Sequence, residues 1–96
     1  MEIEELKLRI ESFSELRKNW DPYDADEITP QSIITSCNVL DLISKTYDIN
    51  EIYVYPMRNG GIQFEIGDYI EIQILNSDVT EFKFDSDFNI ISETKL

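Results

Sequence analysis

The chain has 96 residues, 42% of them hydrophobic and 29% charged, enough for one modest core and too few for two. Twenty acidic residues against eight basic ones give a net charge of −12. That balance excludes a cationic patch able to release counterions from nucleic-acid phosphates, and it disfavours an anionic membrane surface. The acids are spread along the chain, with 11 acids and 5 bases in residues 1–50 and 9 and 3 in residues 51–96. The charge therefore belongs to a folded surface, where it serves solubility and leaves a basic partner permitted. No apolar run approaches the roughly 20 residues of a membrane span. The start Met1-Glu2-Ile3-Glu4-Glu5 has no basic, then apolar, signal-peptide pattern, so a cytoplasmic protein is expected.

In chain order, Ile3, Leu6, Ile10, Phe13 and Leu16 recur at three- and four-residue spacing and define one face of a helix from about Glu2 to Lys18. Glu5–Arg9 and Lys7–Glu11 are i,i+4 pairs on its solvated side. Ser12-x-x-Glu15 has the form of a capping box and marks a break near Ser12. Leu8 lies off the stripe, as an edge or partner contact. The stretch Trp20–Pro30 then carries the only tryptophan, two of the three prolines, and Asp21, Asp24, Asp26 and Glu27. Thr29-Pro30 is a strong helix start, threonine as N-cap and proline at the first position. The second helix should run to Lys45–Tyr47, presenting Ile33, Cys37, Leu40 and Ile43 or Ser44, widened by Ile34, Val39 and Leu42.

From Glu51 the period changes to two. Ile62/Phe64/Ile66, Ile70/Ile72/Ile74 and Thr80/Phe82/Phe84 alternate with polar residues, and Phe88 and Ile90 continue the pattern. These read as half-buried antiparallel strands. Because side chains alternate faces, only hairpin loops with an odd number of residues keep these apolar sets on one face. The loops Gly67-Asp68-Tyr69, Asn76-Ser77-Asp78 and Asp85-Ser86-Asp87 satisfy that count. They pair Ile66 with Ile70, Leu75 with Val79 and Phe84 with Phe88. At the first hairpin a two-residue Asn59-Gly60 turn would bury Tyr53, Tyr55 and Met57. A three-residue Asn59-Gly60-Gly61 loop would bury Ile52 and Val54 instead, and aliphatic residues are the better core.

The absence of histidine removes the usual general base, the Ser-His-Asp triad, imidazole metal ligation and any Cys-His pair. The lone cysteine excludes an internal disulfide, and Cys37, on an apolar helix stripe, reads as an inert core thiol. The Asp21–Glu27 carboxylates lack the glycine and twelfth-position glutamate of a calcium loop. They read as a solvated loop ahead of the second helix, with a small divalent-metal enzyme built on them as the alternative. Asn59-Gly60-Gly61 lies between strands, so it is turn chemistry and not a phosphate loop. The polar sheet face would present Tyr53, Tyr55, Gln63, Glu65, Tyr69, Glu71, Gln73, Glu81 and Lys83. Tyrosines among carboxylates suit a basic protein partner, because aromatics anchor and acids steer.

The order Asn19-Trp20-Asp21-x-Tyr23-x-Ala25-x-x-Ile28-Thr29-Pro30, a helix, and then Gly60-Gly61-Ile62-Gln63-Phe64-Glu65 resembles a widespread group of small bacterial and phage proteins. Their pattern runs Trp-Asp-Gly-Tyr-Gly-Ala, x-Pro-Ile-Ser, a helix, and Gly-Gly-[Ile/Val]-x-Leu-Glu. The similarity covers about residues 16–66 and implies no catalytic residues. Pro22 and Asp24 stand where the pattern has glycines, and Glu27 where it has proline, which stiffens the loop.

The expected architecture is a single α+β domain over residues 1–96, with two N-terminal helices on one face of a four- to five-stranded antiparallel meander. The expected function is a non-catalytic, acidic protein-interaction module of inhibitor, antitoxin or immunity type. It would need no cofactor or metal and would bind a basic partner through Tyr53, Tyr55, Glu65, Tyr69 and Glu71. The third reading is a structural subunit that self-associates through an edge strand or the polar face.

Overall fold

The computed structural model describes residues 2–96 and has the expected α+β architecture. Helix α1 (Ile3–Ser12) and helix α2 (Pro30–Ile43) lie on one face of a five-stranded antiparallel sheet. Its strands β1 (Ile52–Pro56), β2 (Ile62–Ile66), β3 (Ile70–Leu75), β4 (Asp78–Phe84) and β5 (Ile90–Lys95) follow one another in sequence order. The helices pack on each other and on β1, β2 and β3. Leu6, Ile10 and Phe13 of the first helical segment meet Val39 and Leu40 of α2 over Ile52, Val54, Ile62, Phe64, Ile66, Ile72 and Ile74. No helix among the described residues is long and apolar enough to cross a membrane.

The first helix is shorter than its apolar stripe suggests. It stops at Ser12 and continues only as a 3-10 turn over Phe13–Glu15. The hydroxyls of Ser12 and Ser14 donate to the carbonyls of Arg9 and Glu11, competing locally with helix continuation, and Leu16 turns extended. Ser12 makes no side-chain cap, so the Ser12–Glu15 spacing is not a capping box. Helix α2 starts as expected: Thr29 accepts from the Ser32 N–H and Pro30 occupies the first turn. Its buried face is rotated from the expected one. Ser32, Ser36, Val39 and Leu40 are buried and Cys37 is half-buried, whereas Ile34 and Leu42 are exposed. Two small serines let α2 approach the sheet closely, and Ser32 Oγ accepts from the Asn76 N–H at 2.8 Å in the turn between β3 and β4.

The β2–β3 hairpin has the expected three-residue loop, with Ile66 opposite Ile70 and Phe64 opposite Ile72. The first hairpin also has an odd loop and buries Ile52 and Val54. Its register is shifted by two residues from that of an Asn59-Gly60-Gly61 loop, which would pair Arg58 with Ile62: Pro56 pairs Ile62 instead, and the Met57 N–H donates to the Gly61 carbonyl. The β3–β4 turn departs from expectation. Leu75 pairs Asp78 and Ile74 pairs Val79, so the loop is the two residues Asn76-Ser77. Asn76 sits in the left-handed region (φ 56°), a conformation asparagine tolerates, and its side chain accepts from the Thr29 hydroxyl at 2.8 Å. That docking onto the start of α2 sets the short turn.

The consequence is a reversal of β4. Val79, Glu81 and Lys83 lie on the helix side, and Thr80, Phe82 and Phe84 face outward. The odd-loop rule assumes that every strand is covered by a helix, and β4 and β5 extend past the helical layer. The register of the last hairpin, like that of the first, is shifted by two residues from the expected one. Phe84 pairs Ile90 across a five-residue loop, and a bulge lies where Lys83 pairs Ser92.

Candidate protein-docking face

The outward sheet face, opposite the helices, is built by strand alternation. Tyr53 and Tyr55 project from β1 and are exposed. Gln63 and Glu65 follow from β2, then Glu71 and Gln73 from β3, and Thr80, Phe82 and Phe84 from β4. Of the residues expected on this face, Tyr53, Tyr55, Gln63, Glu65, Glu71 and Gln73 are there. Tyr69 stands beside them in the β2–β3 turn. Glu81 and Lys83 are not: the two-residue turn sends them to the helix side, where they pair with each other at 3.9 Å. Phe82 and Phe84 take their place, which alternation alone assigned to the core.

The hydrogen-bond parity of the sheet decides how closely the acids approach. Gly67 N–H donates to the Glu51 carbonyl and Met57 N–H to that of Gly61, so odd-numbered residues of β1 and β2 bond each other. In β2 the even-numbered residues are then the ones bonded to β3. Gln63–Gln73 and Glu65–Glu71 are left as non-hydrogen-bonded pairs, where side chains stand closest, with Cα atoms about 4.5 Å apart. Like charges directly opposite are destabilising. Gln63 Nε2 donates to Glu65 Oε1 at 3.2 Å. Burial pushes the Glu71 carboxyl above its ordinary range and the Glu65 charge adds to the push, against a hydrogen bond from Gln73. No ion pair among the described residues reaches Glu65, Glu71 or Asp68.

Glu65, Asp68 and Glu71 share a shallow groove of about 370 Å³ with Gly67, Ile70, Phe84 and Phe88. Phe88 is exposed and its ring lies 6.0 Å from that of Tyr69, yet its backbone is left-handed (φ 62°), which costs a bulky residue roughly 1–2 kcal/mol. Asp85 enforces that conformation. Its Oδ1 accepts from the N–H groups of Asp87 and Asn89, and its carbonyl accepts from the Phe88 N–H. The backbone bond from Asn89 is also the main reason that the Asp85 carboxyl titrates below its usual range.

The Trp20–Pro30 stretch docks on the first hairpin at the other end of the sheet. Trp20 Nε1 donates to the Asp26 carbonyl at 2.8 Å, Asp26 N–H to that of Arg58, and Thr29 N–H to that of Gly60. Trp20 packs partly buried against the core while Ala25 and Ile28 are buried fully. Tyr23 is 71% exposed, with the Arg58 guanidinium 4.4 Å over its ring. The carboxylates of this stretch diverge. Asp21 pairs Arg58 at 3.3 Å and Asp26 pairs Lys18 at 3.8 Å, and among the described residues no three Asp, Glu or Cys side chains come together as a metal site. A second groove, of about 560 Å³, lies between Trp20, Tyr55, Met57 and Gln63 and opens on the same sheet face. Cys37 has its thiol pushed up mainly by burial, with the Glu11 charge adding to it, the opposite of a nucleophilic thiolate.

No protein family, curated protein or solved structure matches the chain.

Proposed function

We propose that the chain is a non-catalytic interaction module whose outward sheet face docks a basic protein, in the manner of an inhibitor, antitoxin or immunity protein. One observation carries the reading. Glu65 and Glu71 are held in the closest kind of cross-strand pair, partly desolvated and with no ion-pair partner among the described residues, beside the exposed rings of Tyr69 and Phe88. A lysine or arginine from a partner would relieve the repulsion, and its alkyl stem would lie on Phe84 and Phe88. The exposed Tyr53 and Tyr55 extend the face toward the Trp20 groove and supply further aromatic anchors. A net charge of −12 speeds the encounter with a basic partner. A bacterial or phage setting, as the Trp20–Pro30 resemblance implies, and a cytoplasmic location, as the acidic start of the sequence suggests, belong to the same reading.

The test is calorimetric titration with a lysine- and arginine-rich peptide, repeated on Glu65→Gln/Glu71→Gln and Phe84→Ala/Phe88→Ala. The proposal expects binding that weakens with salt and falls about tenfold or more in each double variant. Binding that both double variants retain in full would assign the interaction to the general negative charge of the molecule and sink the site.

A further inference from the structure

The two edges of the sheet are treated differently. At β1 the even-numbered residues turn their backbone groups to the free edge, and those groups are largely occupied. Arg9 Nε donates to the Val54 carbonyl at 3.0 Å, the Ile52 N–H is taken by the Ile49 carbonyl, and Pro56 has no N–H to offer. An edge blunted in this way resists pairing with another chain. Among the described residues, no side chain or proline occupies the outward backbone groups of β5 between Ser92 and Leu96. The Leu96 N–H donates to the Val79 carbonyl, so Ser92, Thr94 and Leu96 bond inward to β4, and Glu93 and Lys95 direct N–H and C=O outward. Both are exposed, and neither has an ion-pair partner among the described residues.

We propose that β5 pairs with β5 of a second copy of this chain, antiparallel about a two-fold axis at Thr94, joining the two sheets edge to edge. Two independent observations select this register. The bulge beside Phe84 distorts β5 at Ile90–Ile91, which confines regular pairing to residues 92–96. Within that span the side chains of Glu93 and Lys95 share the outward face of the sheet. An axis at Thr94 sets Glu93 of each copy opposite Lys95 of the other, twice over by symmetry. An axis at Glu93 would oppose the two Glu93 carboxylates, and an axis at Ser92 would draw the bulged Ile91 into the ladder. Each Glu93–Lys95 pair would exchange backbone bonds in both directions while satisfying both charges. The local strip is neutral, so the −12 of each protomer acts only over longer, salt-screened distances.

Sedimentation equilibrium over a wide concentration range, on the native chain and charge variants, tests the proposal. The native chain should dimerise. Glu93→Lys and Lys95→Glu should each weaken the dimer about tenfold to a hundredfold, since symmetry doubles every repulsive contact. The double swap Glu93→Lys/Lys95→Glu should restore it. Glu93→Pro, which removes an N–H that points away from β4, should also abolish it, with the fold checked by circular dichroism. A monomer at millimolar concentration would overturn the proposal. So would a dimer that the single swaps leave unchanged or that the double swap fails to rescue. None of these readouts depends on the acidic docking face, whose test is peptide binding by Glu65 and Glu71 variants.

Discussion

Glu65 and Glu71 face each other across the β2–β3 hairpin in a non-hydrogen-bonded pair, with Gln63 bonding the first and Gln73 the second. The pair is a cost that the fold carries at neutral pH. The Glu71 carboxyl is raised by burial first and by Glu65 second, so the folded state holds its proton more tightly than the unfolded chain does. Its protonation therefore favours folding, and that contribution, present below the ordinary glutamate range, is lost as pH rises through the folded-state value.

Glu71→Gln removes the repulsion without changing the shape of the pair. We expect it to stabilise the domain at pH 7 by roughly 0.5 kcal/mol, a rise in Tm of about 2–4 °C for a chain of this size. The gain should disappear as the buffer is taken below the ordinary glutamate pKa, where the native carboxyl is itself neutral. Thermal melts of both proteins across that range check the sign. A constant offset at every pH would mean that repulsion is not its source. The same substitution should weaken binding of a basic peptide, so stability and binding move in opposite directions at this position.

Gly60 and Gly61 read as turn chemistry in the sequence, and the structure gives them a packing role as well. A Cβ on Gly61 would run into the carbonyl oxygen of Ile74. One on Gly60, whose φ is 90°, would stand 2.9 Å from the Glu27 carbonyl oxygen, where the Trp20–Pro30 stretch crosses the hairpin. Both obstacles are backbone and cannot swing aside. Gly61→Ala should cost more than about 2 kcal/mol in denaturant unfolding, through displacement of β3. A loss below about 0.5 kcal/mol would mean that the hairpin relaxes freely.

Much of this fold was legible because burial demands a periodic pattern. Leu6, Ile10 and Phe13 declare the inner face of α1. Thr29-Pro30 declares the start of α2, and the isoleucines of β2 and β3 fix their mutual register. Legibility ends where the helices do. Beyond their cover neither face of β4 must be apolar, so the alternation of Thr80, Phe82 and Phe84 carried no information about which side they occupy. Part of the candidate site was lost in the same way. Tyr53, Tyr55, Glu65 and Glu71 were assignable from alternation, and Glu81 and Lys83 were misplaced with β4. The approach of Phe88 to Tyr69 depends on an Asp85-directed loop that no periodicity reveals. The short β3–β4 turn rests on the left-handed Asn76, held by Thr29 and Ser32, contacts between residues more than 40 positions apart that no local pattern shows.

Trp20 and Tyr23 sit three residues apart and should behave unlike each other. Trp20 packs against the core and donates its indole N–H to the Asp26 carbonyl. Its truncation to alanine should cost about 2–3 kcal/mol, less than a fully buried tryptophan, because part of the ring remains in water. Tyr23→Ala removes an exposed ring that Arg58 covers from outside. The change should lie within about 1 kcal/mol. Equal losses in urea unfolding would show that Tyr23 anchors the stretch as firmly as Trp20.

Ser32 and Ser36 are both buried, one turn apart on α2, and the same substitution should act on them with opposite sign. Ser32 Oγ accepts from the Asn76 N–H at 2.8 Å and lies 2.7 Å from Thr29 Oγ1, so Ser32→Ala orphans a backbone donor in a turn whose geometry depends on it. The expected loss is about 1–3 kcal/mol. Ser36 Oγ is buried with no hydrogen-bond partner among the described residues, so its desolvation is uncompensated. Ser36→Ala removes the hydroxyl, leaves a better helix former and opens a gap of one oxygen atom, for an expected gain of about 0.5–1 kcal/mol. Chemical denaturation of the two variants beside the native chain decides the matter. A loss at position 36 as large as that at 32 would mean that the Ser36 hydroxyl bonds a group in solution, and would move it from an isolated defect to a member of the Thr29–Asn76 network.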